Sequence, residues 1–183
     1  MSQATIQYSR ELPVRWQTEV AVLGGGIAGV TTACAAARAG AQVVLVERFA
    51  VTGGNATVGG VANWSGETRG QGAIFDEIIA MQEEWQAIAP YPGPYEHFGK
   101  CSNRVFDHAI LGIILQELLR RHGVKVLLHT RFVDVVTEGR RITHAVLRGN
   151  GGPEALAAKV FVDCTGQAEV THSAGFSAIK GRD

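Results

Sequence analysis

Glu19-Val-Ala-Val-Leu-Gly-Gly-Gly-Ile-Ala-Gly29 is the stretch whose reading decides the fold. The short apolar run Val20 to Leu23 has the length and composition of a buried parallel strand. It runs directly into Gly24-x-Gly26-x-x-Gly29, and the small-residue segment Ile27 to Ala39 follows with helical spacing. A second apolar run, Ala41 to Val46, ends on the acid Glu47. Strand, glycine turn, helix, strand and acid in this order form a dinucleotide-binding fingerprint. Gly24 serves the tight turn, Gly26 lets a pyrophosphate approach the backbone, and Gly29 lets the helix pack on the sheet. The helix start, with Ile27 and Ala28, offers unpaired N–H groups and partial positive charge to phosphates. Glu47 stands where a carboxylate accepts from both ribose hydroxyls of an adenosine, and it would repel a 2′-phosphate. The competing reading is a glycine turn that holds no nucleotide.

The rest of the composition narrows the class. A chain of 183 residues is large enough for one core. Its 17 basic residues balance its 17 acidic ones, so charge points to neither nucleic acid nor an anionic membrane. The first nineteen residues have no apolar signal core, and no run approaches the roughly 18 apolar residues of a membrane span. Three cysteines, Cys34, Cys101 and Cys164, without CxxC spacing argue against disulfide, zinc or iron–sulfur frameworks and suit a reducing, cytoplasmic setting. The six histidines show no HxH or HExxH spacing, so no metal site is expected, and no catalytic acid or base is named.

Outward from the fingerprint, residues 1–18 read as a lead-in and 19–183 as a single nucleotide-binding domain with a helical insertion at about 61–122. Cys34 reads as a small packing residue. Arg48 begins a second glycine-rich loop, with Thr52-Gly-Gly-Asn-Ala-Thr-Val-Gly-Gly60 at its heart. Residues 72–89 are predicted as an amphipathic helix, with Met81 and Trp85 on its apolar side and its acids solvated. Pro90 to Cys101 is predicted as a loop. Its Tyr91, Tyr95, His97 and Cys101 are candidates for substrate contact, or parts of a packed connector. Val105 to His122 is predicted as a second helix, closed by Gly123, and Val124 to His129 as a strand. Val133–Thr137 and Ile142–Leu147 are predicted as a hairpin or meander about Glu138-Gly139-Arg140. Lys159 to Gly166 reads as a further buried strand ending in Thr165-Gly166, before a short helical piece at 168–174.

GGGIAG, VERF and TGGNATVGG together resemble the FAD-dependent oxidoreductases of the glutathione-reductase-like superfamily. The resemblance implies an α/β Rossmann-like FAD-binding domain with a parallel sheet, a β-meander insertion and a helical insertion. It implies FAD as cofactor, with Thr52, Gly53, Gly54, Asn55 and Ala56 lining it beside Arg48 and Glu47. Phe132 and Val133 would hold the adenine through their backbone, and Thr165-Gly166 would approach the cofactor from the later strand. Gln167 and Glu169 stand where the family often has aspartates, and Cys164 where alanine is common.

The family's chains run on beyond the length seen here, so the resemblance covers only an N-terminal part. The expectation is a flavoenzyme, or its FAD-binding subunit, that moves a hydride from a small-molecule substrate to flavin. A second polypeptide would complete the flavin and substrate sites, making a heteromer. A non-catalytic FAD-binding scaffold and an NAD-binding Rossmann module are the alternatives.

Overall fold

A computed structural model describes residues 4–93, 103–177, 179 and 181. Strands β1 (Val14–Leu23), β2 (Val43–Val46) and β5 (Lys125–Leu127) lie parallel, as do β1 and β8 (Gly152–Asp163). Strands β6 (Arg131–Glu138) and β7 (Arg141–Gly149) continue the sheet antiparallel beyond β8, in the order β5-β2-β1-β8-β7-β6. A separate two-stranded ribbon joins β3 (Asn63–Ser65) to β4 (Asn103–Val105).

Both faces of β2 are buried, which is why it reads as the unbroken run Val43-Val-Leu-Val46. Helices α1 (Ile27–Arg38), α2 (Ala73–Glu84) and α3 (His108–Arg121) cover one face. There Val22, Val43 and Leu45 meet Val30, Cys34, Ile78, Leu111, Leu115 and Leu118. The meander and the short α4 (Glu169–Ser173) close over the other face, where Ala21, Leu23, Val44 and Val46 meet Phe132, Leu147, Leu156 and Val170. Cys34 is fully buried among the helices. Burial, reinforced by the Glu77 charge, pushes its thiol up to about 12, so it packs as an inert small side chain.

Several boundaries differ from the sequence reading. The expected helix at 105–122 starts at His108, because the Asp107 carboxylate accepts from the N–H groups of Ala109 (2.9 Å) and Ile110 (3.0 Å) as an N-cap. Val105 belongs to β4, and Phe106 bridges to Ile88. The expected helix at 72–89 ends at Glu84, since Gln86 takes a left-handed φ of 55° and Ile88 then bridges to Phe106. Trp85 is therefore not core packing; it is 39 % exposed at the helix C-cap. The strand expected at 159–166 begins at Gly152, because one long strand pairs antiparallel with β7 and then parallel with β1. β1 likewise reaches back to Val14, into the expected lead-in.

At the C-terminal end of α3, Glu117 holds Arg120 (2.7 Å) and Arg121 (2.9 Å). Hydrogen bonds from Arg120 and then Arg121 lower its carboxyl to about 2. A carboxyl depressed by folding stabilises above its ordinary pKa of 4.5, and that contribution is lost as pH falls towards 2. Glu117→Gln is therefore expected to lower the melting temperature slightly at neutral pH. Melting curves of variant and parent should converge as the pH approaches 2; an equal difference at both pH values would contradict the assignment.

Candidate functional site: a cleft over two glycine loops

β1 turns at Gly24 (φ 103°), and a Cβ there would lie 2.2 Å from the Cys164 carbonyl oxygen. A Cβ on Gly29 would fall 1.9 Å from the Gly24 carbonyl oxygen. These two glycines are thus demanded by protein packing against β8 and within the turn. Gly26 is different: a Cβ there meets nothing within 4 Å, and the residue borders a cleft. It is also the N-cap of α1, in extended conformation, with no side-chain cap and no acid in the first turn. The start of α1 therefore presents main-chain N–H groups and dipole to the cleft without an internal anion.

The second loop is hooked to the first. Gly53 N–H donates to the Gly25 carbonyl at 2.7 Å, and a Cβ on Gly54 would sit 3.0 Å from Gly26 Cα. The expected need for glycine in this loop was approach to a cofactor; at Gly54 the structure shows approach to the first loop itself. Thr52 departs from its expected place. It is fully buried, its carbonyl accepts from the Thr57 hydroxyl (2.8 Å), and its own Oγ1 faces no partner among the described residues. The tight turn that joins the loops buries this side chain below the cleft wall.

Glu47, 5 % exposed at the end of β2, uses both carboxylate oxygens on backbone donors. Gly25 N–H lies 2.7 Å from Oε2 and Phe49 N–H 2.8 Å from Oε1. The acid thereby braces the glycine turn as well as bordering the cleft. Arg48 lies beside it, with its guanidinium 4.8 Å from the Phe49 ring centroid. Across the cleft, β6 carries a register shift between Phe132 and Asp134 that leaves Val133 out of the pairing with β7. Phe132 is buried and borders the cleft; the Val133 side chain is 52 % exposed and does not border it.

The β8 end supplies Cys164, Thr165 and Gly166 to the same cleft. Burial raises the Cys164 thiol, with the Asp163 charge adding to it and a Thr32 hydrogen bond opposing. Asp163 organises this corner: it accepts from the Thr165 hydroxyl (2.7 Å) and the Thr171 N–H and hydroxyl (both 2.9 Å). Burial pushes its carboxyl up, but these hydrogen bonds outweigh burial and hold it below its ordinary value. Ala168, at the N-cap of α4, pays for the turn with φ 55° and ψ 39°. Ala168→Gly is expected to stabilise the protein by about 1 kcal/mol, the cost of a left-handed non-glycine residue. Thermal or chemical unfolding would read it; a destabilised variant would contradict the strain.

The cleft encloses about 680 Å³, in the usual range for a cofactor pocket. It brings together Gly24, Gly26, Ile27, Ala28, Glu47, Arg48, Gly53, Gly54, Asn55, Ala56, Phe132, Thr165 and Gly166. Gly29, Thr52 and Val133 stay outside its lining. Sequence reasoning missed Phe49, Val58, Val61, Asn63, Trp64, Thr130 and Arg131, which also line it. Phe49 and Val58 lie within the VERF and TGGNATVGG motifs, and Asn63-Trp64 lies just past the second, so these four carry a legible signal.

Tyr91, a candidate for substrate contact, is instead tied down away from this cleft. Its hydroxyl donates to Glu67 (3.0 Å), and the Arg69 guanidinium lies 4.0 Å from its ring centroid. Tyr95, His97 and Cys101 lie outside the described residues. Among the described residues no group of acids, cysteines and histidines has the arrangement of a metal site, and no helix is long and apolar enough to cross a membrane.

A parallel sheet with a glycine turn at the carboxyl end of β1, a helix N-terminus over it and a meander behind defines a dinucleotide-binding domain of the flavoprotein kind. Residues 19–183 match the FAD dependent oxidoreductase family, and the chain belongs to it; FAD is its cofactor. Over 175 residues the chain is 24% identical to thiamine thiazole synthase of Pyrococcus abyssi, covering 91% of this chain and 64% of that protein. A geranylgeranyl bacteriochlorophyll reductase-like protein from Thermoplasma acidophilum superposes with a TM-score of 0.66 at 21% identity, over 88% of this chain and 43% of that one. A myxobacterial chondrochloren halogenase, described as a variant of FAD-dependent halogenases, gives 0.57 at 22% identity, over 86% and 39%. The two structural likenesses show a shared fold. The chain spans about two-fifths of the length of those structures and 64% of the curated relative.

The residues fit an FAD phosphate chain. An uncapped helix start, an open Cβ direction at Gly26 and a cleft wall of main-chain donors form a cradle that a side chain would fill.

Proposed function

We propose that this protein is the FAD-binding part of an oxidoreductase in which a small-molecule substrate delivers a hydride to the flavin. The observation that carries the reading is the open position at Gly26 on the uncapped start of α1, faced by the second glycine loop. In this reading Gly26, Ile27 and Ala28 hold the pyrophosphate, with Gly24 and Gly29 shaping the turn beneath it. Glu47, already fixed by Gly25 and Phe49, accepts from the adenosine ribose with its remaining lone pairs, and Arg48 flanks it. The Phe132–Val133 backbone, where the bulge leaves Val133 out of the ladder, meets the adenine. Gly53, Gly54, Asn55 and Ala56 run under the ribityl side, and Thr165-Gly166 closes the β8 end; Thr52 supports that loop from below. When bound, the flavin supplies the two-electron acceptor; the protein's part is to bind, orient and exclude water.

Val58 and Val61, about half exposed where they line the cleft, give an apolar edge for further polypeptide. The reading assigns that cover to a second chain. The buried, unpaired thiol of Cys34 suits a reducing, cytoplasmic setting. Anaerobic addition of candidate substrates to the purified holoprotein tests the redox assignment. Bleaching of the visible flavin bands by a substrate supports it, and an FAD-loaded protein that only dithionite reduces would reduce it to a scaffold. Native mass measurement tests the partner: a 19.5 kDa species that retains FAD and turns over alone would overturn the second chain.

A further inference from the structure

Gln82 is the one residue of α2 that the helix's packing does not explain. It lies on the buried side with Ile78, Ile79 and Met81 and is itself fully buried. Its Oε1 accepts from the Trp64 indole N–H at 2.8 Å, while its Nε2 is buried with no partner among the described residues. A buried amide with its donors unused costs stability that leucine or methionine would not. What the amide achieves is the aim of Trp64.

The indole is restrained from three sides. Phe75 meets it edge-on, with centroids 5.2 Å apart and planes at 79°, and Phe106 packs at 4.7 Å and 35°. Gln82 then fixes rotation about the ring's polar corner. Trp64 lines the cleft, in company with Asn55, Val58, Val61 and Asn63. The cations Arg48 and Arg131 and the acid Glu47 belong to other elements, at the ends of β2 and β5–β6. Trp64 therefore gives the cleft an aromatic side chain whose orientation is fixed beforehand, which suits stacking with a planar ring.

We propose that Trp64 is the platform on which the isoalloxazine ring of FAD rests, and that Gln82 is a positioning residue acting through Trp64. The inference rests on the placement of the pyrophosphate and adenosine given above. ADP, which carries those groups without the ring, separates the two.

The experiment measures FAD and ADP affinity by calorimetry for the parent, Trp64→Ala, Trp64→Phe and Gln82→Met, and the visible circular dichroism of the bound flavin. Trp64→Ala should weaken FAD by about tenfold and ADP by no more than about twofold, as expected for removal of one aromatic stacking partner. Trp64→Phe, which keeps a flat ring, should retain most FAD affinity. Gln82→Met should bind ADP as the parent does but alter the flavin's circular dichroism, because the platform is no longer held at one tilt. FAD and ADP weakened in parallel, or Trp64→Ala binding FAD like the parent, would overturn the platform. If Trp64→Ala does not fold, Gln82→Met decides: parental affinity with an unchanged flavin spectrum overturns it. A parent that binds FAD but not ADP would instead overturn the underlying placement.

Discussion

Gly24→Ala is expected to destabilise the protein by about 3 kcal/mol or more, from left-handed strain and overpacking together, and to abolish FAD binding. The added methyl would stand 2.2 Å from the Cys164 carbonyl oxygen, and φ is 103°. Neither neighbour can give way. The Cys164 N–H donates to Leu23 O at 2.8 Å, and Gly24 N–H donates to Val46 O at 2.9 Å, so the turn is fastened to β8 and β2. Gly26→Ala is the matched control. Its methyl meets no protein atom, and its backbone is extended, with φ −65° and ψ 179°. It should melt within a few degrees of the parent, as befits a cost below about 1 kcal/mol, while losing FAD affinity. Melting temperature and bound flavin, read on both variants, separate a glycine needed by the fold from one needed by the ligand. Equal effects at the two positions would contradict the distinction.

Glu47→Ala is expected to cost about 2–4 kcal/mol, because two backbone donors lose a buried acceptor at once. Gly25 N–H and Phe49 N–H are 2.7 and 2.8 Å from its oxygens, and the carboxylate lies almost wholly out of solvent. Glu47→Gln should fall between the two, since one oxygen survives but the amide turns an N–H₂ towards an N–H donor. Chemical unfolding measures both. FAD titration of the glutamine variant then tests the ribose contact apart from bracing of the turn. A stable alanine variant would show that the turn does not depend on the acid.

Much of this site is legible along the chain. The fingerprint from Val20 to Glu47 is local: each residue's task follows from its place in a strand, turn or helix a few residues long. The boundaries that failed did so where distant partners outvoted local propensity. Val105 reads as the start of a helix by hydrophobic spacing, yet pairing with Asn63 makes it the end of a strand. Trp85 has an apolar residue's profile, but the left-handed turn at Gln86 leaves it at the surface. Only packing of the β3 ribbon against α2 brings the Trp64 indole to Gln82.

By itself the order of residues determined the sheet's central strands, the glycine turn, the acid at Glu47 and the class of cofactor. These rest on backbone sterics and burial that neighbours in sequence impose. The tertiary structure alone decided what enforces the glycines that the fingerprint assigns to the fold, Gly24 and Gly29, and what stands open at Gly26. The Cys164 and Gly24 carbonyls stand where side chains at Gly24 and Gly29 would go, and nothing stands there at Gly26. Such contacts are set by the distance between elements after packing, and no local pattern records that distance.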